Sequence, residues 1–151
     1  MSEKKESILI IEDDEALSSS LAELLRSKGY AVDTALNGTE ALSRSKKSFH
    51  HLAIIDIKLP DKEGTDLLDK LRQTVPPMRK IILTGYPDLG NAVKSVNLGV
   101  DKYLIKPVQP RDLLKTVEEE LKKRREEAKY SQKKVGEYIK TKVAEAEKRR
   151  E

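Results

Sequence analysis

Five short runs of apolar residues punctuate the chain, and each ends abruptly in polar groups or a turn. Ser7-Ile8-Leu9-Ile10-Ile11 gives way to Glu12-Asp13-Asp14-Glu15, residues 30–35 alternate, and Leu52-Ala53-Ile54-Ile55 runs straight into Asp56. Residues 80–84 and 101–105 complete the series, followed by Gly85-Tyr86-Pro87 and by Lys106-Pro107. These runs are too short for helices and rich in isoleucine, so they predict strands, and those without alternation predict strands buried on both faces. Between them the spacing turns helical. Leu17, Leu21, Leu24 and Leu25 share one face of residues 16–28, which Gly29 ends. Further helices are predicted for residues 39–47, from after Gly64 to about Gln73, for residues 88–98, and onward from Pro110.

Five strands alternating with five helices over about 120 residues predict an α/β fold with a doubly wound parallel sheet. In the flavodoxin-like winding, strand order 2-1-3-4-5, strands one and three flank the topological switch point, where ligands collect beyond the strand ends. The carboxyl ends are therefore the place to look for chemistry. The first carries Glu12, Asp13 and Asp14; the third, Asp56; the fourth, Thr84; the fifth, Lys106.

Taken singly, each of these residues has an ordinary explanation. Asp14 is well placed to cap the helix that follows it, as well as to serve as a third acid, and Thr84 and Lys106 stand beside turns. Taken together they suggest a reaction. Several carboxylates in one crevice call for a hard cation such as Mg²⁺, held by one or two carboxylates and a backbone carbonyl. An ionised Asp56 beside it is a competent nucleophile toward phosphorus, and aspartyl phosphate is a known product of such carboxylates. The ammonium of Lys106 and the hydroxyl of Thr84 would receive charge on the transferring oxygens.

Composition narrows the field. The chain has no cysteine, which excludes thiolate metal sites and catalytic thiols. Its charged start and the lack of any long apolar run favour a soluble cytoplasmic protein without a membrane partner. The net charge of +4 lies wholly in the tail, since residues 1–110 balance at 16 basic and 16 acidic side chains. Nucleic acid is therefore not an expected partner of this chain. His50 and His51 have no second cluster to join and read as loop residues rather than ligands.

The motifs IIEDD, IIDIKLPDKEG, ILTGYPD and DKYLIKP, in this order and spacing, resemble the CheY-like receiver domain of two-component response regulators across roughly residues 7–121. The resemblance implies a Mg²⁺ site of Glu12 (through water), Asp13, Asp56 and the carbonyl of Lys58, with Asp56 as the phosphorylated residue. It implies Thr84 and Tyr103 as the switch pair, Lys106 as the phosphate-pairing lysine, and a cis bond before Pro107. Pro60 and Gly64 match the family's loop, while Lys58 and Tyr86 occupy the positions that tune phosphate lifetime. No bound organic cofactor is expected. The implied partner is a histidine kinase or phosphotransfer protein that phosphorylates Asp56, making the chain a switch with self-catalysed phosphorylation and dephosphorylation rather than a conventional enzyme. Two rivals share the architecture. A flavodoxin needs a hydroxyl- and glycine-rich loop where this chain has Glu12 to Glu15, and a haloacid-dehalogenase-type phosphatase needs an aspartate where Lys58 stands.

On this reading residues 1–122 form the receiver domain and residues 123–151 a charged helical extension. Fully helical from Arg111 to Arg150, the last helix would be roughly 60 Å long. Leu114, Leu121, Ala128 and Val135 recur at seven, and the pattern then shifts to Ile139, Val143 and Ala146, as after a four-residue stutter. Arg124 and Ser131 interrupt that seam, which leaves two readings open: a weak coiled coil, or a solitary solvated helix fraying beyond about Arg125. A homodimer would form through the last strand-helix face or through the C-terminal helix.

Overall fold

The computed structural model describes residues 4–85 and 87–150. Five strands, β1 (Ser7–Ile11), β2 (Ala31–Ala35), β3 (Leu52–Ile55), β4 (Arg79–Thr84) and β5 (Lys102–Ile105), form one sheet in the order β2-β1-β3-β4-β5. All pairings are parallel, with Ile8 opposite Leu52 and Ile54 opposite Ile81. The helices are α1 (Glu15–Ser27), α2 (Gly38–Lys47), α3 (Leu89–Asn97) and α4 (Pro110–Arg150). The sheet order, the parallel pairing and the long last helix agree with the pattern expected from the sequence.

Alternate residues of β1 serve opposite faces of the sheet, and each face has its own core. Ile8 and Ile10 pack with Leu21 and Leu25 of α1 and with Leu113, Val117 and Leu121 of α4. Leu9 and Ile11 pack on the other side with Ala41 of α2 and with Leu67, Leu68 and Leu71. Each fully buried isoleucine, leucine or valine among them contributes about 1.5–3 kcal/mol, which fixes β1 at the centre of the sheet. Local signals end the helices as expected. Asp14 caps α1 through Leu17 N at 3.1 Å, and Gly29 follows with φ 95°, a conformation that favours glycine.

One predicted helix is absent. Residues 64–73 form a single 3₁₀ turn, Gly64–Leu67, followed by irregular turns. The helical spacing of Leu67, Leu68 and Leu71 was misleading, because a chain of turns also delivers three leucines to one core. Two features oppose a regular helix here: Gly64 at its start is a poor helix former, and the Arg72 amide is taken by Ser45 Oγ of α2 at 2.7 Å.

The last helix is continuous to Arg150. Its base is bolted to the body by Arg79, whose guanidinium reaches Asp101 at 3.0 Å and Glu120 and Glu127 at 2.9 Å each. Arg124 adds a bond to the carbonyl of Pro76 at 3.0 Å. From Lys129 onward almost every described side chain is exposed. No described helix is long and apolar enough to cross a membrane.

His50 and His51 are indeed outside regular structure, yet His50 is fully buried and its Nε2 lies 2.7 Å from Asp33 Oδ2 of β2. His51 Nδ1 accepts the Ser7 amide at 2.9 Å. Both histidines brace the amino-terminal edge of the sheet, at the opposite end of β3 from Asp56.

Candidate functional site

Because β1 and β3 are adjacent and parallel, their carboxyl ends deliver Glu12, Asp13 and Asp56 to one crevice. Two backbone bonds close that end of the sheet: the Asp56 amide donates to Ile11 O at 2.9 Å and the Glu12 amide to Ala35 O at 3.0 Å. One oxygen from each of the three carboxylates falls within 4.8 Å of the others. Glu12 and Asp56 are buried, while Asp13 is exposed at the rim.

Lys106 enters from the end of β5. Its amide donates to Thr84 O at 2.7 Å, which ties the fifth strand end to the fourth. Its Nζ then reaches Asp56 Oδ2 at 3.2 Å and makes a closer ion pair with Glu12 Oε1. The Lys106–Pro107 bond is cis, as expected. Thr84 is fully buried at the end of β4. Tyr103 is half-buried on β5, packed against the same core as Leu98 and Val100, with its hydroxyl buried and unbonded. Lys58 is exposed and its amide points back to Asp56 Oδ1 at 3.2 Å. Tyr86 lies outside the described residues.

The electrostatics follow from this packing. Burial, and then a hydrogen bond shared with Asp56, raises the Glu12 carboxyl to about 7, against the opposing pull of Lys106. Burial lowers the Lys106 ammonium, but the bond to Glu12 and the charge of Asp56 outweigh it, so its pKa is raised and it remains a cation. Glu12 Oε2 is buried without a hydrogen-bond partner. An orphaned buried carboxylate oxygen beside two more carboxylates is the donor set a hard divalent cation needs, so the residues fit such an ion.

The loop after Asp56 is shaped by contacts that sequence reasoning missed. It folds into a tight hairpin in which Leu59 N donates to Lys62 O and Gly64 N to Ile57 O. Asp61, which the sequence did not single out, reaches across to the amino terminus of α2. Its carboxylate accepts from Gly38 N at 2.7 Å, Thr39 N at 2.9 Å and Thr39 Oγ1 at 2.7 Å. The Thr39 hydroxyl and the Gly38 amide pull its pKa down to about 2. A depressed carboxylate pKa stabilises the fold above the unfolded value of 3.8, and that contribution is lost as pH falls through about 2. Asp61→Asn is accordingly expected to melt at a lower temperature than the parent at pH 6, with the gap closing toward pH 2. Thermal melts across that range check it; a constant gap would rule the carboxylate out.

Three comparisons with known proteins agree with the architecture. A family profile for the response regulator receiver domain matches residues 8–118. The acid tolerance regulatory protein ActR of Rhizobium meliloti is 36% identical over 108 residues, covering 72% of this chain and 56% of its own length. The chain thus spans a little over half the length of ActR and of the photosynthetic apparatus regulatory protein RegA of Cereibacter sphaeroides, which is 31% identical over 107 residues. A crystal structure of a CheY-like receiver domain protein from Methanospirillum hungatei superimposes with TM-score 0.79 at 44% identity, covering 82% of this chain and 99% of that one. A response regulator from Burkholderia pseudomallei, with a phosphorylated aspartic acid and a calcium ion, matches with TM-score 0.66 at 32% identity, covering 73% of this chain and 65% of that one. With the sheet order and the profile in agreement, the chain belongs to the response regulator receiver domain family.

Proposed function

We propose that this chain is a cytoplasmic phosphorylation switch that accepts a phosphoryl group on Asp56 from the phosphohistidine of a histidine kinase or phosphotransfer protein. One observation carries the reading: a buried Asp56 lies 3.2 Å from the Lys106 ammonium, in a crevice shared with Glu12 and Asp13. In the transfer, an Oδ atom of Asp56 bonds to phosphorus, the P–N bond breaks, and its electron pair stays on the imidazole nitrogen, which takes up a proton. Lys106 holds positive charge beside the new phosphoryl oxygens, and Thr84 offers a hydroxyl to one of them. Glu12, Asp13, Asp56 and the Lys58 carbonyl would hold Mg²⁺, which supplies charge neutralisation to the transferring group. Tyr103 and Thr84 would move together once Asp56 is modified, altering the face made by α3, β5 and α4. That face is the proposed route to a downstream partner or a homodimer.

The reading is tested by incubating the chain with acetyl phosphate and Mg²⁺ and measuring intact mass. One adduct of ~80 Da is expected, and none when Mg²⁺ is chelated before the phosphodonor is added. No adduct in Mg²⁺ would refute the function.

Lys58 stands two residues after Asp56. Its amine could pair with the phosphoryl group or obstruct an attacking water. Lys58→Ala is expected to change the decay of that adduct severalfold while leaving its formation intact. An unaltered decay curve would remove Lys58 from the chemistry.

A further inference from the structure

The acids of the crevice are carried by two pieces of chain, and a closed circuit of hydrogen bonds joins those pieces. Glu12 and Asp13 follow β1, and the Glu12 amide is tied to Ala35 O at the end of β2. From there the chain passes through Asn37 into α2. Asp56 and Lys58 follow β3, where the Asp56 amide is tied back to Ile11 O. Lys58 lies in the hairpin of residues 57–64, bridged antiparallel to Glu63. The circuit closes at the hairpin tip. There the Asp61 carboxylate takes Gly38 N on one oxygen, and Thr39 N and Thr39 Oγ1 on the other. The stem of Lys62 lies against the same spot, since a Cβ at Gly38 would come within 2.7 Å of Lys62 Cγ.

Two observations say that this clasp serves the hairpin more than the helix. First, α2 has a cap of its own, Asn37, whose side chain accepts from Glu40 N at 2.8 Å. Second, the bonds inside the hairpin, Leu59 N to Lys62 O and Gly64 N to Ile57 O, set its shape but not its tilt. Ile57 and Leu59 root its first arm in the core. The tip, which is farther out, is held to α2 by Asp61.

We infer that Asp61 is a positioning residue for the cation site. By clasping α2 it keeps Lys58, the source of the backbone ligand on the reading proposed above, in place relative to Glu12 and Asp13. With the clasp gone, the hairpin has to be ordered when the ion binds, and the lost backbone freedom weakens binding. A carboxylate is required because three donors converge on it. An asparagine amide would turn its own N–H groups toward one of them.

The test is Mg²⁺ titration of the whole chain, followed by the backbone amide shifts of residues 13, 56 and 58 at 10 °C. Asp61 and Thr39 are exposed, so truncating either leaves no cavity. Asp61→Ala is expected to bind Mg²⁺ about tenfold more weakly than the parent, as loss of a residue that orients a ligand does. Thr39→Val, which keeps its amide and loses its hydroxyl, is expected to show a smaller loss. The double variant is expected to bind no more weakly than Asp61→Ala alone, because the hydroxyl acts through that carboxylate. Val117→Ala, a truncation in the core on the far face of the sheet, is expected to lower the melting temperature and leave Mg²⁺ affinity at the parent's value. Equal affinity in Asp61→Ala and the parent would overturn this inference alone. So would a Val117→Ala protein weakened as much as Asp61→Ala, since lost stability would then explain both. A parent whose amides at 13 and 56 ignore Mg²⁺ would bring down the phosphorylation reading, and this inference with it.

Discussion

Asp56→Asn is expected to take up no phosphoryl group from acetyl phosphate, while folding as well as the parent. Three carboxylates share the crevice, but only Asp56 combines burial with a direct contact to the Lys106 ammonium and an amide donor, Lys58 N, on its other oxygen. Asparagine fills the same volume and keeps an oxygen for that amide, so packing is preserved and the nucleophile alone is lost. The charge balance also shifts. Asp56 is, after burial, the largest cause of the raised Glu12 carboxyl, so its neutralisation removes one of two buried acids that share a single lysine. Without Mg²⁺ the variant is therefore expected to melt no lower than the parent. Intact mass and a thermal melt on the same samples check both halves. An ~80 Da adduct surviving in Asp56→Asn would move the acceptor to Asp13 or Glu12 and sink the assignment.

The parts of this picture that were legible beforehand are those written in consecutive residues. Ile8 to Ile11 and Leu52 to Ile55 announce central parallel strands because a strand buried on both faces cannot alternate. Once these two strands are neighbours, the residue after each must share the crevice, and Glu12 and Asp56 follow without further information. What was hidden depends on partners far along the chain. Asp61 is indistinguishable from any turn aspartate until α2 is seen to present Gly38 and Thr39 to it, more than twenty positions away. Arg79 reads as a strand-end cation until Glu120 and Glu127 arrive one turn-pair apart on α4. The missed 3₁₀ segment has a different cause. Leu67, Leu68 and Leu71 carry a helical period because they need one core, and burial rewards that outcome whatever backbone achieves it.

Gly64→Ala is expected to be the most damaging single substitution outside the carboxylates, and by a backbone route. A Cβ at Gly64 would fall 2.0 Å from the Asp56 carbonyl oxygen and 3.0 Å from Ile55 Cγ2. Neither neighbour can swing aside, since the first is main chain and the second belongs to the fully buried end of β3. Relief requires moving residues 56–58 or residue 64 itself, which stretches the Gly64 N to Ile57 O bond that closes the hairpin. Overpacking of a well-filled site costs about 3 kcal/mol, or roughly 10 °C in melting temperature for a domain of this size. The displacement also lands on the loop that carries Lys58 and on the backbone of Asp56. Gly64→Ala is therefore expected to lose phosphoryl uptake even at temperatures where it remains folded, whereas Gly136→Ala, with open space around its Cβ, alters neither property. Circular dichroism melts and adduct formation at 10 °C separate the two effects. A Gly64→Ala protein that melts with the parent would mean that the close approach of this loop to Asp56 has been misjudged.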